Sequence, residues 1–302
     1  MRKLSAKIAK RLKKTHSSKI VDLTEYKESK NALLKEWEQL RDAESLIKEG
    51  LDPQHAVYIA AQNMLSFLIE ILSELNELDR LSKIIVQAEE EYMPSWPPAS
   101  PISRSCFFTW SSFDVRVGID KESYITCLLD LNKILNLSED ICHLFTLMAS
   151  SRLGVYKVIE QRNGKVLLEE LFDQKQYLCV MPNQHPFHAG ELWLTRLLPP
   201  IHKALDEHVI FTSPYILMST EKAWQSFFER TISDIKQTPV IEKAYRCFMR
   251  NGLSNKYWLE FIMQSYSRHT DNAIYLMGIP DDSHTRPHPY NNKILPDFIQ
   301  PY

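Results

Sequence analysis

Three residues in the stretch CFFTWSSFDVRVG have types and spacing that suit ligand binding. They are Trp110, Asp114 and Arg116. Read as a strand, this stretch turns Phe113, Val115 and Val117 to one face and Asp114, Arg116, Trp110 and Phe108 to the other. On that second face Arg116 would bind an anion and Asp114 would hold the guanidinium in place. The structural alternative is a half-buried ion pair under aromatic cover.

A second pair, His185 and His188 in NQHPFHAG, has only two residues between its imidazoles. Zinc-binding histidines sit one helical turn apart or are completed by nearby cysteines or carboxylates. Pro186 forbids a helix interior there, and Cys179 lies in a strand-like stretch. The expectation is a turn, with no metal ligands and no cofactor. The glycines point the same way. There are seven, all at least ten residues apart, where average usage would give about twenty. A phosphate-binding loop, a dinucleotide fingerprint and a hydrolase elbow each need glycines far closer than that, so all three are excluded in standard form. HExxH and CxxC are also missing.

Charge is distributed unevenly. Residues 1–20 hold eight cations and no acid, leaving 28 basic and 38 acidic side chains in the other 282 residues. Lys7, Lys10, Arg11, Lys13 and Lys14 are the candidate polyanion-binding residues, for nucleic-acid phosphates or an anionic membrane surface. As a helix this arm would align Leu4, Ile8 and Leu12. Three apolar positions give it little reason to pack, so the arm is expected to lie outside the folded core. An organellar targeting peptide ranks behind both readings, because lysine outnumbers arginine and serines are few. The five cysteines are at least fifteen residues apart and sit in apolar stretches, which suggests reduced thiols in a cytoplasmic protein. The most apolar run, 56–72, is interrupted by Gln62, Asn63 and Glu70, so no transmembrane segment is expected.

The elements that would position these residues form an α+β chain. The expected order is a basic arm (1–20), a helical hairpin (21–92), a proline-rich linker (93–105), an α+β body (106–280) and an irregular tail (281–302). In the hairpin, Leu33, Trp37, Leu40 and Ile47 mark a first helix that stops at Gly50, and Asp52-Pro53 opens a second. Val57, Ala61, Met64, Leu68, Ile71, Leu75 and Leu78 then form a heptad seam. Leu65, Leu72 and Leu81 lie off it, so the helix has more apolar surface than one antiparallel partner covers. Packing on the rest of the chain is the commoner cause of such surplus surface and self-association is the other, in a helix running as far as Tyr92.

In the body, CFFTWSSFDVRVG and SYITCLLDL have strand composition. Ser138 opens a helix expected to end at Gly154. YKVIEQ, VLLEELF, YLCVM and ELWLTRLL read as strands of a small antiparallel β module over 155–200, with turns at Asn163-Gly164 and Asp173. Another strand near HVIFTSPYILM, helices over 221–235, 239–251 and 255–268, and AIYLMGIP complete it.

The stretch from Tyr156 to Pro200 resembles a small β module of bacterial proteins, often found beside the zinc motif called SEC-C. Asp173, Gly190, Glu191, Leu192, Arg196 and Pro199 take its marked positions; the zinc motif is absent, since no two cysteines are close enough. More broadly, SWPPASP, FDVRVG, TCLLDL, GELWLTRLLPP and FTSPYIL make residues 93–280 similar to a family of uncharacterised bacterial proteins of about 300 residues. That resemblance implies a fold and no activity. The functional expectation is a binding or adaptor protein that associates through its hairpin. The alternatives are an enzyme, such as a hydrolase, working on the Asp114 and Arg116 face, and a nucleic-acid-associated protein using the basic arm.

Overall fold

The computed structural model describes residues 1–17, 43–92, 101–181, 187–212, 214–234, 241–270 and 273–280. The fold is mixed, and helix (54%) outweighs strand (19%). The chain divides into two compact units, Met1–Gln87 with Ser111–Ser150, and Ala88–Trp110 with Ser151–Tyr302.

The first unit is helical. Its α1 (Lys3–Ser17) is followed by α2 (Ala43–Lys48) and α3 (Pro53–Ser73), and α4 (Asp79–Tyr92) begins in this unit. The expected first arm of the hairpin, 33–42, lies outside the described residues. Its end is seen in α2, where Gly50 takes φ 95°. Asp52 then caps α3 by accepting from the Gln54 and His55 amides at 2.9 and 3.2 Å, with Pro53 in the first turn.

The single long helix is corrected. Leu75 is extended (φ −82°, ψ 124°), and a 3₁₀ turn at Asn76–Leu78 leads into α4. The break lets Leu72, Leu78 and Leu81 all bury. The seam is also shifted. Tyr58, Ala61, Leu65 and Leu72 make the buried stripe of α3, which packs on α6 (Tyr124–Asp130) and α8 (Glu139–Ser150). Val57, Met64, Leu68, Ile71 and Leu75 stay half-buried beside it. By length and composition α3 could also cross a membrane.

Both strands expected ahead of the β module are helical instead. Pro101–Thr109 form α5, which also replaces the end of the proposed linker, and Trp110–Asp114 form a π-helical turn. Proline is tolerated in a first helical turn, where its missing N–H has no partner to lose, and the aromatic composition of this stretch fits either element once packed. SYITCLLDL becomes α6, because Ser123 and Thr126 form a reciprocal capping box at its start. The four-residue α7 (Asn132–Leu135) ends in left-handed Asn136, and Ser138 Oγ accepts from the Ile141 amide to start α8.

The second unit holds the sheet: β1 (Arg152–Arg162), β2 (Lys165–Glu170), β3 (Gln176–Val180), β4 (Leu192–Leu198), β5 (His208–Ile210), β6 (Tyr215–Leu217), β7 (Tyr266–His269) and β8 (Ile274–Leu276). The order is β1-β2-β3-β5-β4-β6-β8-β7, and β1 also pairs β4, so the first five strands close into a small barrel. Asn163 (φ 50°) and Gly164 (φ 75°) make the tight β1–β2 turn, as the Asn-Gly pair dictates. Within 155–200 every strand pairing is antiparallel; the parallel neighbour of β3 is β5, which lies beyond those residues.

Alternation along the strands splits two cores. Tyr156, Val158, Val166, Leu168, Cys179, Trp193 and Ile210 cluster on one side of the strands. Leu153, Val155, Leu192, Leu194, Tyr215 and Leu217 face three helices, α9 (Glu221–Asp234), α10 (Ile241–Asn251) and α11 (Tyr257–Gln264), and meet Trp224, Phe228, Phe248 and Trp258. Strand β4 is buried on both faces along its whole length. Residues 266–269, expected at the end of a helix, form β7, and Gly154, expected as a helix end, lies inside β1.

Candidate functional site

In the second unit the strongest polar cluster grows from β1. Arg152, Gly154 and Tyr156 share a strand face, and a Cβ at Gly154 would run into the Tyr156 ring. Glycine thus lets the ring lie back over the strand. Opposite, in β2, Tyr156 pairs with Glu170, whose side chain is fully buried. Arg152 grips that carboxylate with both terminal nitrogens, Nη1 to Oε1 at 2.6 Å and Nη2 to Oε2 at 2.8 Å, and donates from Nη1 to the Leu153 carbonyl at 3.0 Å. The Tyr245 ring lies 5.5 Å from the guanidinium carbon, and Phe172 stacks on that ring at 4.4 Å. Tyr177 donates to Glu170 Oε2 at 3.5 Å. At the rim, Asp173 pairs with Arg246 at 3.3 Å and accepts from the Lys175 amide, while Lys175 and His208 lie against Tyr177.

Burial sets the protonation states of this cluster. Burial works against the Arg152 charge, but the hydrogen bonds and field of Glu170 outweigh it and keep the guanidinium protonated. Burial, reinforced by Glu170, pushes the Tyr156 and Tyr245 phenols well up, and it pushes Tyr177 up to about 12. The same cause raises the Cys179 thiol, raises Cys127 in the first unit to about 12, and lowers His208. At neutral pH the phenols and thiols are therefore protonated, the imidazole is uncharged, and the buried Glu170 carboxylate is engaged by a bidentate arginine. The pair thus clamps β1 to β2, its hydrogen bonds spent within the fold.

The predicted ligand face is not assembled as a strand. Trp110 is buried in the second unit, and its indole N–H donates to the Asn255 carbonyl at 2.8 Å. Asp114, which ends the π turn, and Arg116, which follows it, belong to the first unit, are half-buried and already have interaction partners. Period-two alternation therefore does not relate the three.

His185 lies outside the described residues. His188 is exposed, its carbonyl accepts from the Glu191 amide, and Phe187 packs edge-on against Trp193 at 4.2 Å. Among the described residues no group of three His, Cys, Asp or Glu side chains comes together as a metal site.

The basic arm departs most from expectation. It is α1, and it is docked in the first unit with Ser5 and Ile8 fully buried. Glu122, 1% exposed, accepts from the Leu4 and Ser5 amides, both at 2.8 Å, and Asp120 accepts from the Lys3 amide at 2.8 Å. These carboxylates satisfy amides that a helix start leaves open. Lys7, Lys10, Arg11 and Lys13 stay exposed, Arg11 pairing with Glu77 at 3.2 Å; Lys14 lies in the same helix. The arm's partner, Glu122, is over a hundred residues away in sequence, so no local pattern pointed to it.

Among the positions of the resembled β module, Asp173 makes the β2–β3 turn and Gly190 takes φ 89° before β4. Glu191 accepts from the Trp193 indole at 3.1 Å, and buried Arg196 donates to Ser151. All four act within the fold.

Comparison with family models, curated proteins and solved structures gave no match for this chain.

Proposed function

We propose that this chain is a binding or adaptor protein that assembles with a second copy of itself through α3. The observation that carries the reading is the second apolar stripe of that helix. Val57, Met64, Leu68 and Ile71 run in steps of seven, four and three beside the buried stripe and remain half-buried. Steps of this kind keep one face of a helix in line, and two identical stripes related by a two-fold axis are self-complementary. Resemblance of the barrel to the module found beside SEC-C motifs is kept as part of this reading, with the barrel as scaffold. The reading extends to a cytoplasmic setting; it is supported by five cysteines, all among the described residues, that form no disulfide. Light scattering on the intact chain and on Leu68→Glu tests the proposal.

A further inference from the structure

We infer that the end of the first unit where α1 begins is a docking surface for an anionic lipid bilayer. Val117 and Glu122 form a β-bridge, and between them Gly118 (φ 74°) and Lys121 (φ 52°) turn the chain. Ile119 sits at the tip of that turn and is 80% exposed, the highest value for a large apolar side chain among the described residues. Turn tips ordinarily carry Gly, Asn, Asp or Ser, and at this one an aliphatic side chain stands in water, placed to enter an apolar phase.

The same turn is fastened to α1, because the Lys3 amide donates to Asp120, the residue after Ile119. On α1, Lys3, Lys7 and Lys10 follow at helical i, i+4 and i+7 spacing and are all exposed. Ser5, Ile8 and Ala9 are buried on the packed side. The lysines therefore form a fixed row, about 10 Å long at 1.5 Å per residue. With its apolar face already committed, α1 cannot roll into a membrane, and the apolar contact falls to Ile119.

A row of cations next to a protruding aliphatic tip matches a bilayer, which offers anionic headgroups above hydrocarbon. A nucleic acid would use the lysines and leave Ile119 without a purpose. Moreover, α1 contains no Phe, Tyr or Trp on which a base could stack. This surface is independent of the self-association proposed for α3.

The test is co-sedimentation of the full chain with phosphatidylcholine vesicles, with and without about one-third phosphatidylserine, at low and high salt. Binding is expected only to the anionic vesicles and should weaken as salt rises. Lys3→Gln, Lys7→Gln and Lys10→Gln should each lower it by roughly fivefold. Ile119→Asp should lower it by about tenfold, with circular dichroism unchanged. Failure of the intact chain to bind at low salt, or binding indifferent to Ile119→Asp, would overturn the proposal. Tight binding to a DNA duplex with none to vesicles would also overturn it and assign the lysines to nucleic acid.

Discussion

Ser5 donates both its backbone amide and its hydroxyl to the same oxygen of Glu122, at 2.8 and 2.6 Å. The carboxylate is buried, and the helix it holds is the most basic segment of the chain. Leu4 completes the contact on the other oxygen. Glu122→Ala would leave two amides and a hydroxyl short of an acceptor in a closed site, at a cost of about 3 kcal/mol. Deleting residues 1–17 removes the same contacts and buried Ile8 and strands the Glu122 charge, so it should destabilise the protein at least as much. Urea unfolding followed by circular dichroism measures both; a midpoint unmoved by the deletion would return α1 to the role of a loose arm.

The Arg152–Glu170 pair gives a second test. Either Arg152→Met or Glu170→Leu alone leaves one buried partner uncompensated and should cost about 3–5 kcal/mol. The double variant should recover most of that loss, because apolar groups of similar size replace both charges. Chemical denaturation of the four proteins closes the cycle. Additive losses would show that the two side chains do not act as a pair.

Gly154→Ala should destabilise by about 2 kcal/mol, because the new methyl meets the Tyr156 ring inside the sheet. Tyr156→Leu removes the obstructing ring and should make the second change at Gly154 nearly neutral. Thermal melts of the single and double variants decide it, and an equal penalty in both backgrounds would rule out the steric account.

Acid should weaken the fold before the carboxylates titrate. Burial lowers both His55 and His208 below the ordinary value of 6.5. Each folded imidazole therefore binds its proton less readily than the unfolded one. The stability tied to this is intact above 6.5 and is lost as pH falls from there through the depressed folded values. Melting temperatures should decline as pH falls below about 6.5, and His55→Gln with His208→Gln should flatten the decline. A flat profile in the parent protein would contradict it.

The strands of the β module were legible because their signals are local, whereas closure into a barrel through the β1–β4 pairing was not legible. Asn163-Gly164 demands its turn, Asp173 and Gly190 demand theirs, and the four long strands fall between them. Composition misled at residues 106–118, where an aromatic, β-branched run was free to become helix and π turn once packed. The hairpin helix was legible as an element, while its orientation was not. Leu65 and Leu72 lie one position from a regular heptad, and only the neighbouring α6 and α8 determine which stripe is buried. The sites were hidden for the same reason, since Glu122 meets Ser5, and Tyr245 meets Arg152, across long stretches of chain.

The central claim is that α3 joins two copies of the chain, and light scattering over a range of protein concentrations tests it most directly. The intact protein should pass from monomer to dimer as concentration rises. Leu68→Glu, which sets a charge in the half-buried stripe, should stay monomeric while keeping the parent circular dichroism spectrum. An intact chain that remains monomeric at every concentration, or a Leu68→Glu variant that dimerises as well as the parent, would contradict the account.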